Sequence, residues 1–316
     1  MLWDFLILLG SLALLVKSSQ LVVDSVSKLT QATRLKEMTM GFILLALATN
    51  IPELAVTFSS VLSGNVEIPI GNILGSHVAD VCLVIGMMAL IAPTTIRIRI
   101  RELETLSSIL FITSFIPLLL WNVGTAGWVI GIILLGVYIY FYVYVTQREI
   151  KSGEEVHVEK INLLSTLQFL CINLFVVIVT ANFVVSSAIS LATSLGISPA
   201  VIGALTLGLG TSLPELWIGM VSVKKGHTNL GLSNTIGSCL TNLTLLLGLV
   251  FLFSPIKIDF ATFSSLLFFT VSSSLILWYL IRDRKIQVTD GLWLLLFYLV
   301  FILTISGIEI IKILTI

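Results

Sequence analysis

Three acidic residues, Glu53, Asp80 and Glu215, lie deep inside long apolar stretches of this sequence. A carboxylate at the centre of a bilayer costs about 3 kcal/mol even on insertion scales, so such residues normally line a binding site or a polar cavity. No Lys or Arg occurs at the same depth to pair with them. We therefore expect the three carboxyl groups either to be protonated or to contact a cation.

The residues next to the first glutamate indicate which kind of cation would bind there. Thr49, Asn50 and Glu53 share one helix face because they are three and four residues apart. Pro52 has no N–H group and disturbs the preceding turn, which predicts a kink with unpaired backbone carbonyls. The segment 208–215 repeats this arrangement. Carbonyl, hydroxyl, amide and carboxylate oxygens are hard ligands that suit Ca²⁺ or Na⁺.

A second polar face follows each of these segments. Residues at four-residue spacing line one side of a helix, and here they form two ladders: Asn72, Ser76 and Asp80 in the first half, and Asn234, Ser238 and Asn242 in the second. Hydrogen bonding between helices is the alternative role for these ladders, and it is the role that we predict for His77. Gly71, Gly75 and Gly237 are predicted to allow close helix packing.

The composition places these motifs in a membrane. The chain has 316 residues, of which 57% are hydrophobic and 11% charged, and its mean hydropathy is +1.10. Soluble proteins carry roughly a quarter charged residues. The 17 basic and 17 acidic residues cancel, so no net charge attracts nucleic acid. Disorder is excluded by the hydrophobicity, and three cysteines within apolar stretches indicate packing rather than a disulfide scaffold or metal site.

The chain is predicted to be an all-α integral membrane protein with ten transmembrane helices, because a span needs about 20 apolar residues. The predicted spans lie near 2–22, 39–62, 68–92, 104–121, 126–146, 162–192, 199–223, 229–253, 260–281 and 288–312. These spans place 15 Lys and Arg residues on one side and two on the other. The basic side is normally cytoplasmic. We therefore predict that both termini lie outside a plasma membrane and that the loop 147–160 is cytoplasmic.

The sequence also contains an internal repeat. A shift of 162 positions aligns residues 41–86 with 203–248 without a gap and gives 15 identities in 46 residues. The identities include polar residues, among them Thr49/Thr211, Pro52/Pro214, Glu53/Glu215, Asn72/Asn234 and Ser76/Ser238. Five spans in each half is an odd number, so the two halves should have opposite orientations. The predicted divisions are a first five-helix repeat over 1–146, a cytoplasmic linker over 147–161 and a second five-helix repeat over 162–316.

These motifs resemble the two α-repeats of the cation/calcium exchanger superfamily, and most closely its prokaryotic sodium/calcium exchanger branch. The family motif G-T-S-x-P-E-L is matched by residues 210–216, with a looser copy at 48–54. The motif G-N-x-x-G-S is matched by residues 71–76 and approximately by 233–238. The motifs cover about 92 residues, and the doubled ten-span layout extends the resemblance to the whole chain.

The resemblance implies a set of metal ligands in this sequence. Glu53 and Glu215 would be the central Ca²⁺ ligands, with the carbonyls of Thr49 and Thr211. The remaining implied ligands, which bind Na⁺ or fill the paired position after the second motif, are Ala46, Asn50, Ser76, Ser212, Ser238, Asp80 and Asn242. Three positions depart from the family pattern: Asn50 replaces a usual Ser, Gly208 replaces a usual Ala, and the single Asp of the pair is in the first repeat.

We therefore expect an antiporter that exchanges Ca²⁺ for Na⁺ at one shared site by alternating access. Exchange of Ca²⁺ for H⁺ remains the alternative, because an Asn before the glutamate also occurs in the calcium/proton branch. An intramembrane protease would need an Asp pair or a positioned Ser and His, and a channel would more naturally use symmetric subunits. We expect no enzyme activity, no cofactor and no obligate protein partner. The expected ligands are the inorganic cations and the lipid bilayer.

Overall fold

The computed structural model describes residues 2–31, 45–98, 101–119, 127–149, 163–253 and 260–315, and all structural statements below refer to these residues. The predicted linker lies almost entirely outside this set, as do residues 41–44 at the start of the first repeat motif. In the first half the helices are α1 (Leu2–Gln31), α2 (Ala46–Thr49), α3 (Ile51–Leu62), α4 (Glu67–Val78), α5 (Ile85–Ile91), α6 (Arg101–Ser114), α7 (Ile116–Leu119) and α8 (Gly127–Glu149).

The second half has the same sequence of elements. Its helices are α9 (Leu163–Leu195), α10 (Pro199–Ile202), α11 (Gly208–Thr211), α12 (Leu213–Lys224), α13 (Thr228–Thr241), α14 (Leu247–Phe253), α15 (Phe260–Arg282) and α16 (Val288–Thr315). Wider π-helical turns occupy Ala79–Val84, Gly203–Leu207 and Asn242–Leu246. Strands β1 (Ile96–Arg97) and β2 (Lys285–Ile286) pair antiparallel. Apart from this pair of two-residue strands the described elements are helical, as the sequence predicted, and α8 extends to Glu149 where the linker was predicted to begin at 147.

The molecule is built for lipid surroundings. Seven helical segments are long and apolar enough to cross a membrane among the described residues, and the segment Ile51–Leu62 is apolar but shorter. Large apolar side chains are exposed around the molecule, including Trp128 at 57%, Trp293 at 70% and Phe268 at 63%. The protein is therefore a multi-pass membrane protein. Each of the ten predicted spans is helical over most of its described residues, while the count of ten crossings stays a prediction.

Two helices are broken at the predicted prolines. In the first broken helix (46–62), α2 ends at Thr49, and α3 begins at Ile51, one residue before Pro52. The Pro52 nitrogen carries no hydrogen, so the Ala48 carbonyl has no donor four residues ahead. The second broken helix (199–224) is interrupted in the same way at Ser212, two residues before Pro214. The predicted kink is therefore a complete interruption of the helix in both copies.

Glycine allows the close contacts between the two halves. A Cβ added at Gly71 would lie 2.1 Å from the Ala200 carbonyl oxygen, and one at Gly75 would lie 2.3 Å from that of Ala204. The prediction that Gly71 and Gly75 permit close packing is thus confirmed.

We refer to the segments 67–91 and 228–253 as the first and second polar helix. The first polar helix lies directly against the second broken helix, and the second polar helix contacts α2, which is part of the first broken helix.

The outer helices repeat the same pairing pattern in each half. Gly86 in the first polar helix approaches Gly291 of α16, and its repeat equivalent Gly248 approaches Gly131 of α8. Helix α1 packs along α9, and α6 packs along α15. Each contact therefore has a counterpart in which the two halves exchange roles, and the polar faces of the four central helices are directed toward one another.

Candidate cation-binding site

All of the residues that the sequence nominated as ligands lie buried on the central helices. Each of these residues has at most 2% of its surface exposed. They are Ala46, Thr49, Asn50, Glu53, Ser76, Asp80, Thr211, Ser212, Glu215, Ser238 and Asn242. The two broken helices supply the glutamates just after their interruptions, and the two polar helices supply Ser76, Ser238 and the Asp80/Asn242 pair. The candidate site is therefore a buried polar cluster to which both halves contribute.

Ser238 connects its own helix, the second polar helix, to the three other central helices. Its Oγ accepts a hydrogen bond from Asn50 Nδ2 at 2.9 Å and lies 3.1 Å from Asp80 Oδ2 and 3.3 Å from Glu215 Oε1. A serine hydroxyl has a single hydrogen to donate. It can fully satisfy only one of the two carboxyl oxygens, so the other needs a proton or a cation.

Ser76 occupies the repeat-equivalent position and makes different contacts. Its Oγ donates to the Gly208 carbonyl at 3.3 Å and lies 3.2 Å from Thr211 Oγ1. Thr211 Oγ1 also lies 3.2 Å from Asn72 Oδ1. Hydroxyl, amide and carbonyl oxygens from the first polar helix and the second broken helix therefore lie side by side.

The buried carboxyl groups have fewer hydrogen-bond partners than their oxygens could accept. Glu53, Asp80 and Glu215 are all buried, and Asp80 and Glu215 share the single hydroxyl of Ser238. Neither oxygen of Glu53 has a hydrogen-bond partner among the described residues. Other buried site atoms in the same condition are Asp80 Oδ1, Glu215 Oε2, Ser212 Oγ, Asn50 Oδ1 and both side-chain polar atoms of Asn242. Buried polar atoms are normally bonded, and oxygens in this arrangement fit a bound cation.

The three carboxylates do not converge on one point. Within the described part of the chain, no three Asp, Glu, His or Cys side chains are close enough together to hold a metal ion by themselves. Any cation at this site must therefore take much of its coordination from hydroxyl, amide and backbone oxygens, as Ca²⁺ and Na⁺ do. Which of these residues bind ions stays a prediction.

Sequence reasoning left two asparagines out of the ligand set. Asn72 contacts Thr211, and Asn234 is buried with both polar side-chain atoms unpartnered among the described residues. Their four-residue spacing from Ser76 and Ser238 was the available signal. The π-helical turns at Asp80 and Asn242 had no such signal, although turns of this type are frequent at functional sites.

His77 directly follows Ser76 on the first polar helix and contacts α15. Its Nε2 is 2.8 Å from Ser274 Oγ on α15. The predicted interhelical hydrogen bond of His77 is thus confirmed.

Comparison with known proteins identifies the family. The sequence profile of the sodium/calcium exchanger protein family matches residues 3–147 and 165–307. The chain belongs to the sodium/calcium exchanger family. Members of this family are membrane antiporters, and the resemblance predicted from the motifs is confirmed.

Individual relatives match along most of the chain. The sodium/calcium exchanger MaX1 of Methanosarcina acetivorans is 27% identical, with 95% of this chain and 97% of the relative covered. The inner membrane protein YrbG of Escherichia coli is 26% identical, with coverages of 80% and 81%.

Solved structures show the same architecture. A structure of the sodium-calcium exchanger NCX_Mj superposes with a TM-score of 0.68 at 25% identity and covers 95% of this chain and 97% of its own. The H⁺/Ca²⁺ exchanger CAX superposes with a TM-score of 0.78 at 18% identity, with coverages of 99% and 87%. At 18% identity the likeness to CAX concerns the fold alone.

Proposed function

We propose that this protein exchanges Ca²⁺ for Na⁺ across the membrane at the buried cluster around Glu53, Asp80 and Glu215. The observation that carries this proposal is the set of buried carboxylate, hydroxyl and amide oxygens that have no partner among the described residues. They are hard oxygen ligands inside a membrane protein whose relatives include named sodium/calcium exchangers. Neither a resident cofactor nor a protein partner is part of the proposal, and the ions are its substrates.

The charges explain how the two fluxes are coupled. Three carboxylates can be compensated by one Ca²⁺ or by several Na⁺ ions. An unloaded and fully ionised site would contain mutually repelling charges at low dielectric, where repulsion is strong. The movement that transfers the site from one side of the membrane to the other is therefore disfavoured without ions, so each ion type crosses only in exchange for the other.

Alternating access follows from the proposed topology of ten spans in two inverted repeats. Gly86 contacts Gly291, and in the other half the equivalent Gly248 contacts Gly131, which supports this repeat.

The pairing of Arg97 with Lys285 brings basic residues from distant parts of the sequence to one end. We call this the basic end and propose that it is cytoplasmic, in a plasma membrane. A cysteine at Ser152 in a protein without other cysteines should then react with impermeant reagents only from the cytoplasm, and reaction from outside would contradict the topology.

Exchange of Ca²⁺ for H⁺ is the second candidate, and one observation favours it. Asn50 Nδ2 donates to the Ala46 carbonyl at 2.6 Å and to Ser238 Oγ at 2.9 Å. Both acceptors are expected Na⁺ ligands. An amide that occupies them competes with Na⁺, whereas protons carried by the carboxylates would not need these oxygens.

Uptake of radioactive Ca²⁺ into sealed vesicles separates the two candidates. We expect uptake when Na⁺ is present inside and absent outside, and little uptake without a counter-ion. Robust uptake driven by a pH gradient in the absence of Na⁺, with no added response to Na⁺, would contradict the sodium assignment. Uptake without any counter-ion would indicate a channel and contradict exchange altogether.

A further inference from the structure

The two broken helices pack differently beyond their glutamates. In the ungapped repeat alignment, Ala55 and Val56 of α3 correspond to Trp217 and Ile218 of α12. Val56 is fully buried in an apolar cluster with residues of α9, and Ala55 packs against the same cluster. Trp217 is 60% exposed, and Ile218 packs against Leu45 and Ala48 at the start of the first broken helix.

A cavity lies between α12 and α1, which is the repeat counterpart of α9. Its volume is about 450 Å³, and α12 contributes Pro214, Trp217 and Ile218 to its wall. Helix α1 contributes Lys17, Gln20, Leu21 and Asp24. The equivalent face between α3 and α9 is filled by apolar side chains. Of these two equivalent helix pairs, α1 and α12 thus have a cavity between them, whereas α9 and α3 are closely packed.

The position of the cavity relates it to the candidate site. Its lining includes Pro214, which directly precedes Glu215. From Pro214, α12 continues to Lys224 at the basic end, where Gly226 and Arg97 line a separate cavity. The cavity therefore runs along α12 from Pro214 to Ile218, in the direction of Lys224, while Glu215 is fully buried behind its lining.

We propose that this cavity is the route by which cations reach Glu215 from the basic end, and that Asp24 and Lys17 set cation affinity from that side alone. This inference rests on the proposed exchange function. Lys17 and Asp24 are exposed residues seven positions apart on α1, so they lie on one helix face about two turns apart. The Asp24 carboxylate attracts a cation in the cavity, and the Lys17 ammonium group repels it.

The size of the effect follows from Coulomb's law. A unit charge about 10 Å from a monovalent ion in a water-like medium changes its local concentration about twofold, and the same charge changes that of a divalent ion about fourfold. The effect for Ca²⁺ is therefore the square of the effect for each Na⁺. Raising ionic strength should weaken both, because charges exposed to solvent are screened.

The decisive experiment measures the apparent affinity for Ca²⁺ and Na⁺ from each side of oriented vesicles. We expect Asp24→Asn to weaken Ca²⁺ affinity about fourfold from the basic end and Lys17→Gln to strengthen it about fourfold. Affinity from the opposite side should not change. Lys225→Gln is the matched control, since Lys225 is exposed near the same end but does not line the cavity.

Three results would overturn the proposal: changes of the same sign in both variants, equal changes from both sides, or no change in either variant. A wild-type protein that shows no counter-ion-dependent uptake would instead contradict the proposed function, so the two failures are distinguishable.

Cysteine accessibility gives an independent test of the route. Cys82, Cys171 and Cys239 would first be replaced. We expect Trp217→Cys to react with impermeant thiol reagents applied at the basic end, and Ala55→Cys at the aligned position not to react from that end. Reaction of Ala55→Cys from the basic end, or protection of Trp217→Cys there, would contradict the proposed path.

Discussion

The two copies of the motif form the same broken helix but use different polar groups at the break. In the first copy, Asn50 donates to the Ala46 carbonyl and to Ser238. In the second copy, the Oγ of the aligned Ser212 has no partner among the described residues, and Ser76 bonds the Gly208 carbonyl instead. A difference of one side chain thus changes which oxygens are already hydrogen-bonded.

This difference shows that a repeated backbone does not guarantee two equivalent ion positions. The amide of Asn50 fills positions in the first copy where a cation would find a carbonyl and a hydroxyl. The second copy keeps a hydroxyl with no such competitor. We infer that the two halves contribute unequally to ion binding, and the following variants test how unequally.

Loss of either glutamate should have the largest effect. Glu53→Gln and Glu215→Gln each remove one charge from the site while preserving side-chain shape. Because ligand charge strongly tunes Ca²⁺ affinity, we expect Ca²⁺ exchange to fall by at least about a hundredfold in both variants, measured as uptake under a Na⁺ gradient. Glu104→Gln is the control, since Glu104 pairs with Arg284 outside the site. Near-normal exchange in one glutamate variant would place the site entirely in the other copy.

The contact between the halves should be the next most sensitive feature. Gly75→Ala would place a Cβ 2.3 Å from the Ala204 carbonyl oxygen. Backbone cannot move aside as a side chain can, so we expect a loss of stability of about 2–3 kcal/mol. Thermal unfolding in detergent measures this loss. At Gly136 an added Cβ meets nothing within 4 Å, so Gly136→Ala is the control that should lose no stability, and a Gly75→Ala protein as stable as this control would contradict the backbone contact between the halves.

Asp80 and Asn242 test whether the site responds to total charge or to its location. Asp80 contacts Ser238, whereas both polar side-chain atoms of Asn242 have no partner among the described residues. We expect Asp80→Asn to reduce exchange about tenfold and to change its Na⁺ dependence. Addition of Asn242→Asp should restore part of the activity because it restores the charge from the equivalent position. No recovery in the double variant would show that the two positions are not interchangeable.

The smallest effect is expected at the residue that distinguishes the copies. Asn50→Ser removes the donor that occupies the Ala46 carbonyl and Ser238. If these oxygens bind Na⁺, its apparent affinity should rise about threefold, comparable to one modest net hydrogen bond. Ser212→Asn should have the opposite effect. Unchanged Na⁺ affinity in both variants would favour protons as the driving ion.

Local chemistry accounts for what the sequence could predict. Pro52 and Pro214 act on their own turns, so both helix interruptions could be placed from sequence alone. Residues four apart on one helix face stay together in any helix, so the ladders of Ser76 and Ser238 were also predictable. Apolar stretches locate helices in lipid because a buried backbone must satisfy its own hydrogen bonds.

Contacts between the halves were not accessible in this way. Asn50 reaches Ser238 across 188 positions of sequence, and no local pattern specifies such a partner. The cavity beside Trp217 depends on how far α12 stands from α1, although its aligned counterpart in α3 is packed shut. The strands β1 and β2 are two residues long, too short for an alternating pattern to be visible.

The contact between Gly86 and Gly291 has a consequence for how the protein is made. Helix α16 emerges from the ribosome long after the first polar helix, yet its glycine approaches that helix at backbone distance, and β2 hydrogen-bonds to β1 near the same end. A chain under synthesis therefore carries the helix with Asp80 in the membrane without its neighbour. Assembly must wait for the late helices, and until then this early segment depends on the insertion machinery or on lipid to cover its glycine face.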